Sequence, residues 1–182
     1  KPKNSETGNR GGMNEILQTV VDKLKTDFNA EVSEFRDEVS VMIPAEKNTE
    51  LAVLLRDEFG FDLLSALTAV DYCPQKSPRF HMVYIFYSTS HKTYLNVRAG
   101  LDGDTPSIKT LEKVYPSANW REREVWDLFG IHFEGHSDLR RLLLPPDWKG
   151  HPLRKDYPLG YEEVQFTFNF KEIDVRKPKG EI

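Results

Sequence analysis

The run FDLLSALTAVDYCPQKSPRFHMVYIFYSTSHKTYLNVRA, Phe61 to Ala99, decides the fold. It divides into three stretches rich in β-branched and aromatic side chains, Phe61 to Tyr72, Phe80 to Tyr87 and Thr93 to Ala99, parted by Cys73 to Pro78 and by Ser88 to Lys92. Such side chains suit a pleated, half-buried surface, and short connections return a chain antiparallel to itself. Three antiparallel strands are expected.

On the N-terminal side, Leu51, Leu54, Leu55 and Phe59 recur at helical spacing through Glu46 to Phe59, and Gly60 is a suitable stop. Before it, Glu31 to Ile43 carries Val32 and Phe35, then Val39, Val41 and Ile43, around the polar break Arg36-Asp37-Glu38: a hairpin ending at Pro44. Ile16, Leu17, Val20, Val21, Leu24 and Phe28 mark an amphipathic helix over Asn14 to Phe28. Residues 1–12 are polar and glycine-containing, and are expected to be a disordered extension or one left by expression. On the C-terminal side, Pro106 suits the first turn of a helix running to Val114, ended by Pro116. The expected class is α+β: a mixed, mainly antiparallel sheet covered by helices on one face, in a domain of residues 13–116. Residues 117–182 follow as a helix plus an extended, irregular, proline-rich segment suited to binding a partner.

Bulk properties narrow the function. With 182 residues, 38% apolar and 30% charged, one compact core with extensions is expected. A net charge of −4 offers no basic surplus for a phosphate backbone, so nucleic acid is excluded as a partner. No apolar run approaches the ~20 residues of a membrane span, and the first residues lack a hydrophobic signal core, so the chain is expected to be neither exported nor membrane-spanning. Cys73 is the single cysteine. It forms no intrachain disulfide, and the chain by itself lacks the ligands of the usual iron–sulfur clusters. No internal repeat and no phosphate loop is present; Gly100-Leu101-Asp102-Gly103-Asp104 reads as a turn, and Asp71-Tyr72-Cys73-Pro74 as a strand end with no sign of an activated thiol.

The unusual chemistry lies in residues 117–160. Ser117 suits the cap of a helix from Ala118 to Phe129, and Gly130 its end. Glu122, Val125, Trp126 and Phe129 share a face, while Glu124 and Asp127 point elsewhere. Two readings stand: a solvated helix with local ion pairs worth about 0.2–0.5 kcal/mol each, or a helix whose Trp120, Trp126 and charges meet a partner. Beyond it, Pro145, Pro146, Pro152 and Pro158 with several glycines argue for an extended, wrapped segment. Residues 117–160 hold seven Lys or Arg and seven Asp or Glu, a balance best satisfied by pairing. Backbone groups outside any ladder need other partners, supplied either by another protein or by the domain's own sheet if the segment folds back over it. Arg140, Arg141, Trp148, Arg154 and Tyr157 are of the types that dominate interface hot spots. His132, His136 and His151 with Asp138, Asp147 and Asp156 are metal-ligand types, but Glu134 occupies neither position used by helical zinc-protease motifs, and His151-Pro152 suits a turn.

The run Trp120-Arg121-Glu122-Arg123-Glu124-Val125-Trp126-Asp127-Leu128-Phe129-Gly130-Ile131, then Phe133-Glu134-Gly135-His136, and Gly150-His151-Pro152-Leu153-Arg154-Lys155-Asp156-Tyr157-Pro158-Leu159, resembles the signature of the 30-kDa subunit family of respiratory complex I. The resemblance implies a cofactor-free, non-catalytic subunit in the peripheral arm of a proton-translocating NADH:quinone oxidoreductase, on the cytoplasmic face of the inner membrane. It implies docking on the 49-kDa quinone-site subunit and neighbouring iron–sulfur subunits, which hold the clusters, FMN and quinone. The residues assigned to that interface are Trp120, Glu122, Arg123, Glu124, Trp126, Asp127, His136, Arg140, Arg141, Asp147, Trp148, His151, Arg154, Lys155, Asp156 and Tyr157. Related subunits serve energy-converting membrane hydrogenases and ferredoxin-fed complexes, which is the alternative; a free-standing metallohydrolase built on the three histidines is a further one. The tail departs from longer bacterial members: Tyr161 to Ile182 is short, with Val164, Phe166, Phe168 and Phe170 alternating like a strand.

Overall fold

The computed structural model describes residues 15–36 and 38–158, together with Lys171 and Val175. Helix α1 (Glu15–Phe28) turns Val20, Val21, Leu24 and Phe28 into the core. Strands β1 (Glu31–Phe35) and β2 (Glu38–Ile43) form the hairpin, and a short 3₁₀ turn leads into α2 (Asn48–Asp57), which buries Leu51, Ala52 and Leu55. Then follow β3 (Leu63–Asp71), β4 (Phe80–Ser88) and β5 (Thr93–Leu101).

The sheet order is β1-β2-β5-β4-β3. Every pairing in it is antiparallel except β2 with β5, where Val41 stands opposite Val97. That exception has a simple cause: α2 and the β3–β4 pair lie between the two strands in sequence, and parallel neighbours require a long crossover. Alternation decides the faces. Phe80, Met82, Tyr84 and Phe86 of β4 and Leu95, Val97, Ala99 and Leu101 of β5 are buried with the helices, whereas His81, Val83, Ile85 and Tyr87 are half-buried and outside that core.

The expected helix from Pro106 to Val114 does not form. Ser107–Lys109 is strand β6, paired in parallel with β7 (His132–Glu134), and turns occupy residues 112–114. Proline's fixed φ suits either structure; Ile108 and Phe133, opposite each other and both buried, settle it through a pairing 25 residues distant. Ser117 makes no capping hydrogen bond, because its backbone is already helical and the chain enters α3 (Ala118–Phe129) through successive turns from Leu111. The strand read at Val164 to Phe170 and the extension read at residues 1–12 lie outside the described residues.

Candidate functional site

Helix α3 packs beside β3 and ends at Gly130, whose φ of 74° is left-handed. A Cβ at this glycine would stand 2.5 Å from the His151 ring, so the position is closed to side chains by conformation and by space. From Gly135 to Pro158 the chain forms no helix and no strand. Turn hydrogen bonds satisfy some of its backbone groups; others depend on side chains or water, and two buried acids, Asp127 and Asp71, supply them, while a third, Glu122, bonds the end of β6.

Asp127, on the last turn of α3, is fully buried. One carboxylate oxygen accepts the amides of Leu142 (3.0 Å), Leu143 (2.8 Å) and Leu144 (2.9 Å), and the other accepts Arg141 Nη1 at 2.7 Å. Arg141 Nη2 also donates to the carbonyls of Trp148 and Gly150, and His151 Nδ1 lies 3.0 Å from the Asp127 carbonyl. Burial alone would raise the Asp127 pKa; the Leu144 amide, Arg141 and the Leu143 and Leu142 amides outweigh it and hold the carboxyl below its ordinary range. One carboxylate thus shapes residues 141–151.

Asp71 and Arg79 do the same for residues 154–156. Arg79 is 6% exposed at its side chain and grips Asp71 through Nε (3.2 Å) and Nη2 (3.1 Å), Asp104 at 2.8 Å and Asp156 at 2.8 Å. Asp71 also accepts the amides of Cys73 and Lys155, each at 2.9 Å. Arg154 donates twice to the Asp104 carbonyl and pairs with Asp156 at 3.3 Å, and both arginines lie over the Phe80 ring. Asp71, and then Asp156, keep the guanidinium of Arg79 charged well above its ordinary pKa.

Glu122 is the third acid, fully buried on α3. It accepts Thr110 Oγ1 at 2.5 Å and the Leu111 amide at 2.7 Å, tying α3 to the end of β6. Burial pushes its pKa up to about 7 against those two bonds. His136 lies 4.0 Å away; its Nδ1 accepts the Asp138 amide, which leaves Nε2 to donate to the Asn119 carbonyl at 3.1 Å. Close by, Glu112 accepts the hydroxyl and amide of Ser137 and the amide group of Asn119, and is held down at about 2.

The residues assigned from sequence to a partner interface therefore fall into two groups. Glu122, Arg123 and Asp127 are buried inside the chain, Asp127 off the Glu122 face and against residues 141–144. Arg123 caps the carbonyls of Arg140 and Arg141, so these three act on a partner only through the segment they hold. Trp126, Arg141, His151, Arg154 and Tyr157 are half-buried, and the side chain of His136 is fully buried. Trp120, Glu124, Arg140, Asp147, Trp148, Lys155 and Asp156 are exposed, as are Leu143 (61%) and Leu153 (52%), which the sequence reading passed over. It also passed over Asp71, Arg79 and Asp104. A signal was present: Asp71 continues the buried phase of Leu67 and Ala69, and a charge in an apolar register needs a partner. His132 is exposed on β7, His136 bonds to α3 and His151 to the end of that helix, so the three do not converge. Among the described residues no group of three His, Cys, Asp or Glu side chains is placed to hold a metal.

The α+β domain places the chain among proteins with solved relatives in respiratory membrane complexes. The fold is similar to a chain of the archaeal membrane-bound sulfane sulfur reductase, a respiratory membrane complex, with a TM-score of 0.68 and 25% identity over 78% of this chain and 85% of that one. It is also similar to a trypsin-resistant fragment (1–134) of Nqo5, with a TM-score of 0.61 and 29% identity over 68% of this chain and 99% of the fragment. The family described as respiratory-chain NADH dehydrogenase, 30 Kd subunit, matches residues 41–163. The C subunit of the NADH-quinone oxidoreductase of Roseiflexus sp. is 42% identical over 88% of this chain and 94% of its own length, and that of Geobacter sulfurreducens 47% identical over 75% and 86%. The chain belongs to the 30-kDa subunit family of respiratory-chain NADH dehydrogenase.

Proposed function

We propose that the chain is a cofactor-free structural subunit of the peripheral arm of a proton-translocating NADH:quinone oxidoreductase, on the cytoplasmic face of the inner membrane. Residues 118–158 dock on the 49-kDa quinone-site subunit and its iron–sulfur neighbours, which carry the clusters, FMN and quinone. One observation carries this reading: buried acids fix an irregular segment from within while Leu143, Trp148 and Leu153 face outward, 61%, 41% and 52% exposed. A pre-organised segment with apolar anchors loses little entropy on docking. Membership of the family supports it, and among the described residues no helix is long and apolar enough to cross a membrane.

The test is co-purification. A tagged chain drawn from gentle detergent extracts brings down the quinone-site subunit, and its absence from the eluate refutes the proposal. The likeness to a chain of the sulfane sulfur reductase favours a second reading, a related membrane complex fed by another donor. Its mark is an eluate holding a quinone-site homologue without an NADH-oxidising module.

A further inference from the structure

Among the described residues the helices cover one face of the sheet and leave the other uncovered, and that face has a chemistry of its own. Val70, Val83, Ile85, Tyr87 and Tyr94 form an apolar strip across β3, β4 and β5, and the rings of Tyr87 and Tyr94 meet at 4.4 Å. Tyr94 is 58% exposed, and none of the five belongs to the core. Arg98 stands on this face opposite Val83, one diagonal step from His81.

These two polar side chains are incompletely satisfied. Arg98 Nε and both ring nitrogens of His81 are shielded from solvent and have no hydrogen-bond partner among the described residues. Arg98 reaches only the Tyr72 hydroxyl, at 3.4 Å, and the His81 ring leans on the Tyr72 ring at 4.6 Å. No described carboxylate is within ion-pair distance of Arg98. Shielded donors without acceptors are rare in folded proteins, and a guanidinium does not lose its charge to relieve the cost.

We propose that the open sheet face is a second docking surface, separate from the C-terminal segment, which receives an apolar segment of a neighbouring protein subunit bearing a carboxylate for Arg98. The proposal rests on the reading of the chain as an assembly subunit. Charge selects this occupant. One arginine set between Val83 and Met42 matches one carboxylate, whereas an anionic lipid surface calls for a cluster of basic residues. A second copy brings another Arg98 to the centre, with its acids on this face, Glu31 and Glu38, carried on the outer strands β1 and β2.

Hydroxyl-radical footprinting of the assembled complex against the isolated chain tests the surface. Tyr94 and Met42, which stands opposite Arg98 on β2, are expected to oxidise at least fivefold more slowly in the complex, with Trp148 reporting the C-terminal segment in the same sample. Protection of Trp148 without Tyr94 overturns the second surface and leaves the first standing; protection of neither overturns both. A benzophenone amino acid at position 94 then identifies the occupant. A cross-link to an acid-bearing peptide of another subunit supports the proposal, and one to a second copy, to this chain beyond Pro158 or to lipid overturns it. Finally, Arg98→Met is expected to weaken retention of that subunit at least tenfold under a salt wash and Arg98→Lys less, with the melting temperature of the isolated chain unchanged. Wild-type retention by Arg98→Met overturns the carboxylate assignment.

Discussion

Asp127→Asn separates a carboxylate that organises the docking segment from one that merely fills space. The amide is isosteric, so packing is conserved, but it places an NH₂ where one oxygen now accepts either Arg141 or the amides of Leu142, Leu143 and Leu144. Arg141 is 15% exposed at its side chain and Asp127 is fully buried, which puts the pair in the class whose breaking costs about 3–5 kcal/mol. Three amide bonds to a charged acceptor do not add fully to this, because Leu143 is exposed and its amide recovers a bond from water. A loss near 4 kcal/mol lowers the melting temperature of a domain this size by roughly 10 °C. The pH dependence has a definite sign. The Asp127 pKa is depressed in the folded chain, so its contribution is present above the ordinary carboxylate pKa and is lost as pH falls below it. Wild type therefore destabilises in acid more steeply than Asp127→Asn. Urea unfolding of the isolated chain at several pH values measures both effects. A loss below about 0.5 kcal/mol at neutral pH, the range of an exposed pair, refutes the reasoning.

Glu122→Gln has the opposite pH signature: burial raises the folded pKa from its ordinary 4.5 to about 7, so stability is lost as pH rises through that window, by up to about 3 kcal/mol. The glutamine variant should flatten that slope in the same unfolding experiment. Gly130→Ala forces a left-handed alanine against the His151 ring, and a loss of about 2 kcal/mol or more is expected by calorimetry. Trp148→Ala should leave the melting temperature of the isolated chain within a degree or two while reducing co-purification of the quinone-site subunit, because the ring is 41% exposed. Arg154→Ala and Asp156→Ala, by contrast, should lower the stability of the isolated chain as well as assembly, since both side chains are spent on Arg79 and Asp104 within it.

The sheet was legible because its signal is local and repeated: alternating apolar residues in β4 and β5 set which face is buried whatever the strands' neighbours. Helices α1 and α2 were legible for the same reason at period 3.6, and Gly130 announced the end of α3. The stretch after Pro106 misled because a three-residue strand has no pattern of its own; it exists through β7. Residues 117–160 stood out in sequence as charge-balanced and rich in prolines, which points to pairing without naming the pairs.

What the sequence determined by itself is the class of fold, the location of the unusual segment and, through its resemblance, the family. What only the tertiary structure decided is which charges face inward. Asp127 reads like any surface acid, and Glu122 and Asp71 show only that they share a register with apolar residues, yet each is buried and holds backbone amides distant in sequence: Leu144 for Asp127, Leu111 for Glu122, Lys155 for Asp71. Periodicity reports a residue's neighbours along one element. The burial that turns a carboxylate into an anchor comes from several elements meeting, and no single stretch of chain records it.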